Sequence, residues 1–157
     1  MKWTSVVLLA TACVGLHGAT ALAADVELPL RKAGKWEQKT TMDEAGKKHE
    51  QTLTICIDGD MERNTAAASG AEHKSHCSKY EVKKDGDKVV IDAMCKMNGR
   101  DVESLTEMSG DFQNTFDVKI SSTTSGIQDS QSISIKRVIE QQGKYLGESC
   151  GDLKAGE

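Results

Sequence analysis

Beyond its first 23 residues the chain has no long apolar run, which excludes a membrane-spanning helix there, since one needs roughly 20 consecutive apolar residues. Aromatic residues are scarce. Only Trp36, Tyr80, Phe112, Phe116 and Tyr145 lie past that point, too few to fill the space between two packed sheets. Basic residues do not cluster, and 20 Lys and Arg against 24 Asp and Glu leave a net charge of −4. That balance argues against nucleic acid as a partner, because its phosphates demand clustered cations. No C-x-x-C pair occurs, which argues against a redox dithiol, and the abundant serines read as turn and loop residues, which argues against a hydrolase serine held on a sharp turn.

What is present begins with a leader. Met1-Lys2-Trp3, an apolar stretch from Val6 to Gly15 and small residues ending in Ala21-Leu22-Ala23 match a secretory signal peptide in order and length. Cleavage is expected between Ala23 and Ala24; the only charge lost is Lys2, which takes the net charge from −4 to −5. An outer-membrane lipid anchor on Cys13 is disfavoured, because the leucine expected three positions earlier is missing. The sequence thus divides into a signal peptide over 1–23, a polar N-terminal segment over 24–34 with the single proline, Pro29, one β-rich domain over 35–150 and a flexible tail over 151–157. The mature protein is expected in the periplasm.

The domain is organised around Asp87–Met108. Val89, Ile91, Ala93, Cys95 and Met97 alternate with Lys88, Val90, Asp92, Met94 and Lys96, the period of a half-buried strand. Asn98-Gly99 then supplies the two positive-φ residues of a type I′ turn, so Cys95 should face Val102 and Lys96 should face Asp101. Upstream, Lys35–Met42 and His49–Ile57 read as an antiparallel pair joined by the charged loop Asp43–Lys48. A short helix follows from Asp58, with acidic residues at its positive end and Gly70 at its exit. Ser78–Lys84 resumes the strands, and an Asp85-Gly86 turn aligns Val82 with Val89 and Tyr80 with Ile91. Phe112 to Ile120 repeats the alternation, the polar Ser121–Gln131 reads as a flexible connection, and the last strand runs from Ser132 to Glu140 or on to Leu146. The fold class is mainly β: an antiparallel meander of about seven strands forming a curved sheet or open half-barrel, with one short helix between the second and third strands.

Past the leader four cysteines remain, Cys56, Cys77, Cys95 and Cys150, an even number that reads as disulfides in an oxidising compartment and allows three pairings. Strand parity points Cys56 and Cys77 away from their apolar neighbours, while Cys95 shares the parity of Val89 and Ile91. The expected bridges are therefore Cys56–Cys77 and Cys95–Cys150.

Few residues offer chemistry. His73 and His76 are three apart and Met94, Met97 and Met108 could add soft ligands, which suits copper or zinc, but the histidines fall in a polar stretch and the ligand set is incomplete. Asp58-Gly59-Asp60-Met61-Glu62 lacks the sharp-turn glycine of a calcium loop, with Arg63 in its place. Glu103 and Glu107 share the solvent parity of their strand and cannot act as a glycosidase pair without a cleft.

Gly34-Lys35-Trp36-Glu37 on the first strand, a cysteine ending the second, a helix leading to another cysteine, one more after the Asp85-Gly86-Asp87 turn, and Gly147-Glu148-Ser149-Cys150 at the end form an ordered set. In that order and spacing the chain resembles, over roughly Lys32 to Cys150, the exported bacterial family catalogued as domain of unknown function 3617. It departs from the family in carrying Lys35 where an apolar residue is usual. The resemblance implies an exported β-rich fold and supplies no activity, cofactor or catalytic residue.

Two classes of function are left. A non-catalytic binding or envelope-interaction module would use the inward residues Trp36, Tyr80, Ile91, Phe116, Val118 and Ile135 as a groove for an apolar or amphipathic envelope ligand, or an exposed edge strand for a protein partner. The alternative is a periplasmic metal-handling protein or hydrolase built on loop residues around His73 and His76. The absence of a complete catalytic set and of any implied cofactor favours binding over an enzyme.

Overall fold

The structure, a computed structural model, describes residues 26–154. The expected signal peptide, its cleavage point at Ala23 and Ala24, and Cys13 lie outside the described residues. The elements are β1 (Gly34–Glu44), β2 (Lys47–Ile57), α1 (Gly59–His76), β3 (Cys77–Asp85), β4 (Lys88–Met97), β5 (Arg100–Gly110), β6 (Thr115–Gln128) and β7 (Gln131–Gly147). All seven strands form one open antiparallel sheet in the order β2-β1-β7-β6-β5-β4-β3. Strands β3 to β7 are a meander, and the β1–β2 hairpin docks on the far side of β7. Since β2 and β3 are the two edges, α1 has to carry the chain from one edge of the sheet to the other.

That journey sets the helix length. Six inter-strand gaps of about 4.8 Å span roughly 29 Å, and 18 residues at about 1.5 Å rise cover roughly 27 Å. The helix starts where expected, at Asp58, whose side chain accepts from the N–H groups of Asp60 and Met61. It does not stop at Gly70 but continues to His76, because a stop there would leave the chain short of β3.

The Asn98-Gly99 turn holds the expected register, with Cys95 opposite Val102 and Lys96 opposite Asp101. The β3–β4 turn differs. Its central residues are Gly86 and Asp87, with φ 60° at the glycine as in a type II′ turn, so Val82 faces Ile91 and Tyr80 faces Ala93. The shift is two residues, which keeps every side chain on its expected face. Ser121–Gln131 is not a connection: β6 runs through it to Gln128, paired with β7 throughout and with β5 as far as Ser125, and only Asp129-Ser130 turns.

The expected disulfides are corrected to Cys56–Cys150 and Cys77–Cys95. A register irregularity between Cys77 and Lys79 puts an extra residue into β3, which flips the parity of Cys77 and sets it directly opposite Cys95. Cys150 lies beyond the end of β7, outside any strand parity, and reaches Cys56 on the outer side of β2.

The packed core sits at one end of the face that α1 covers. Trp36 is fully buried there with Ile57, Phe112 and Phe116. Its ring meets Tyr145 edge-on at 5.3 Å and Phe116 at 5.5 Å, and its Nε1 donates to the Lys32 carbonyl at 2.8 Å. Phe116 lies across Gly143 on the neighbouring strand; a Cβ there would fall 1.9 Å from the ring, so only glycine fits. Phe112 reaches the core from a backbone at φ 55°, an uncommon conformation for a bulky residue. The Asp111 carboxylate holds that loop by accepting from the N–H groups of Gln113, Asn114 and Thr115 and from the Asn114 side chain, which keeps it well below the usual carboxylate range.

Candidate functional site

Alternation sends Trp36 and Gln38 of β1, Ile55 of β2, Tyr80 of β3, Ile91 and Ala93 of β4, Thr106 and Met108 of β5, Val118 and Ile120 of β6 and Gln141 of β7 to the inner face. The helix crosses this face without filling it. Among the described residues its half-buried positions are Gly59, Glu62, Ala66, Ser69, Gly70 and His73, a stripe at helical spacing made of small and polar residues. A helix meant to close a core would offer leucine or isoleucine there. The result is a cavity of about 680 Å³ between α1, the N-terminal segment and the sheet. Its walls are mixed: Leu28, Pro29, Ile55, Ile91, Phe112, Phe116 and Val118 are apolar, and Arg31, Gln38, Glu62, Ser69, His73 and Gln141 are polar.

The strongest polar feature in the wall is an ion pair. Arg31 Nε and Nη2 donate to the two oxygens of Glu62 at 2.7 and 2.8 Å, a fork-to-carboxylate match, and Nη1 reaches Gln38 Oε1 at 3.3 Å. The two side chains are only 23% and 17% exposed, and the guanidinium carbon stands 5.6 Å from the Phe116 ring centroid. Burial raises the Glu62 pKa, but the hydrogen bonds and charge of Arg31 outweigh it and the net shift is downward. The pair ties the N-terminal segment to the first turn of α1.

At the other end of the helix His73 stacks on Tyr80, ring centroids 5.5 Å apart. Burial pushes the Tyr80 hydroxyl up. His73 and His76 are in the last turns of α1 and not in a loop, which corrects their expected setting. His73 Nδ1 donates to the Ser69 carbonyl at 2.6 Å and lies 3.2 Å from Ser69 Oγ. A nitrogen that holds its proton for a carbonyl cannot take one from the serine, so the pair is not an activated nucleophile. The histidines border a cleft of about 70 Å³ with Met97, Cys77 and Cys95, but the two cysteine sulfurs there are bonded to each other. Among the described residues no three His, Cys, Asp or Glu side chains converge as a metal set.

Of the six residues expected to bind a ligand, Tyr80, Ile91, Phe116 and Val118 line the cavity, Trp36 is buried in the core beside it, and Ile135 lies on the same face opposite Thr124, outside the cavity. Arg31, Gln38, Glu62 and Ser69 were not anticipated. The one signal in the sequence was the small, polar stripe of the helix. Glu103 and Glu107 are on the outer face, as their parity requires, with Glu107 bound to Lys88. No helix among the described residues is long and apolar enough to cross a membrane.

The chain matches, over residues 31–150, the family model described as a protein of unknown function, DUF3617. No curated protein and no solved structure matches it.

Proposed function

The chain belongs to the DUF3617 family, a family of unknown function, and from that footing we propose that it is a non-catalytic binding protein, exported by its N-terminal signal and acting in the periplasm. Its ligand is a small amphipathic molecule of the cell envelope held between α1 and the inner face of the sheet. The observation that carries this reading is the cavity itself: about 680 Å³, within the range of roughly 300–1,000 Å³ usual for small-molecule sites, under a helix that presents small residues where a core would need large ones. Two disulfides suit an oxidising compartment and cross-link a domain whose packed core is small.

Native mass spectrometry of protein purified from the periplasmic fraction tests both parts. The expected result is a protein beginning at Ala24 that carries an extra mass lost on denaturation, with Ser69→Leu, which fills the cavity from the helix side, folded but free of that mass. A wild type that carries no extra mass and takes up no added amphiphile overturns the binding reading.

A further inference from the structure

We propose that the ligand is a single-chain amphiphile with a carboxylate head, and that this head binds Arg31 in exchange for Glu62. The inference rests on the binding reading above and names the ligand class for the same cavity. Arg31 is placed for such a head. It lies in the cavity wall, is mostly shielded from water, and aims a planar fork of donors whose present acceptor is a carboxylate of the chain itself. A carboxylate brought by a ligand reproduces both hydrogen bonds and the charge, so the guanidinium is never left unpaired. Next to the fork, Phe116, Val118 and Ile91 offer an apolar run for the chain of such a molecule. Glu62 is on the first turn of α1, where a released side chain can turn to solvent.

The exchange has a mechanical consequence. Arg31–Glu62 ties the N-terminal segment to the helix, so ligand binding releases that segment and loosens the first turn of α1, while the Cys56–Cys150 and Cys77–Cys95 bridges hold the chain just outside the two ends of the helix. Access to the cavity then opens at the Arg31 end.

Three probes with the same alkyl chain, dodecanoate, dodecanol and dodecyltrimethylammonium, distinguish the outcomes when titrated calorimetrically below their micelle concentrations. Dodecanoate should bind the wild type about tenfold tighter than dodecanol, and the cation weakest; a charge-assisted bond is large enough for that ratio. Glu62→Gln should raise dodecanoate affinity about tenfold by removing the internal competitor and leave dodecanol unchanged. Arg31→Gln should bring dodecanoate down to the dodecanol value, and Arg31→Lys should restore part of the difference. Hydrogen exchange at the first turn of α1 should quicken on adding dodecanoate and stay constant on adding dodecanol. Equal binding of all three probes, or a Glu62→Gln variant with unchanged dodecanoate affinity, overturns this inference and leaves the binding reading standing. No uptake of any probe by the wild type overturns both.

Discussion

The inner and outer faces of the sheet come from alternate residues of the same seven strands, and they are finished in opposite ways. On the outer face cross-strand and same-strand ion pairs join Lys39 to Glu50, Lys79 to Asp92, Lys83 to Glu81, Lys88 to Glu107, Lys96 to Asp101 and Lys119 to Glu140. That surface satisfies itself and needs no cover. The inner face mixes apolar and polar residues, packs tightly only around Trp36, and elsewhere leaves a cavity beneath a helix too small-sided to fill it. Stability is therefore concentrated at one end of one face, and the room for a ligand lies beside it.

The sharpest test of that division is Trp36→Ala. The indole is fully buried, touches two other aromatic rings and donates to a backbone carbonyl, so its loss should cost about 3–5 kcal/mol. A urea titration should show a lower midpoint with an unchanged slope. A cost below about 1 kcal/mol, the size expected of a surface change, would mean that the Trp36 end does not anchor the domain.

Next in size are the bridges, one on each face. Cys56–Cys150 lies on the outer side and closes a separation of 94 residues; Cys77–Cys95 lies on the inner side and closes 18. By loop entropy alone, replacing the first pair by serine should cost about 1–1.5 kcal/mol more than replacing the second. Peptide mapping should recover Cys56 linked to Cys150. Equal costs in the two double variants would assign the outer bridge no advantage from its length, and a Cys56–Cys77 peptide would reject the pairing itself.

How much of this was legible follows from what a two-residue period can carry. Alternation over Val89–Met97, Arg100–Met108 and Phe116–Ile120 places their side chains on the right faces, and Asn98-Gly99 fixes a register because few residues accept two positive φ values. Even the displaced Gly86-Asp87 turn preserves the faces. Parity failed where it meets irregular backbone: one extra residue after Cys77 reverses the pointing of a cysteine, and the pairing of all four changes with it. The Ser- and Thr-rich part of β6 looks like a loop by composition, but strands on both sides satisfy its backbone and hold it extended. Helix length and cavity were out of reach for a different reason. Both depend on which strands become the edges, and no local pattern states that β1 will dock on β7. Arg31 and Glu62 meet only because of that topology.

The smallest effect expected is on the outer face, and its smallness is informative. Lys119 and Glu140 sit directly opposite each other on β6 and β7, 3.3 Å apart and about half exposed, in the middle of the sheet where a pair has its best chance of helping. Water and salt still screen them, and two long side chains must be ordered to meet, so a double-mutant cycle through Lys119→Ala and Glu140→Ala should give a coupling of about 0.2–1 kcal/mol. That coupling should shrink further as ionic strength rises and the screening length falls below the spacing between neighbouring pairs. A coupling well above that range, unmoved by salt, would show the outer pairs acting as one connected network. The outer face would then share the work of stability with Trp36, and α1 would be free to leave the inner face without endangering the fold.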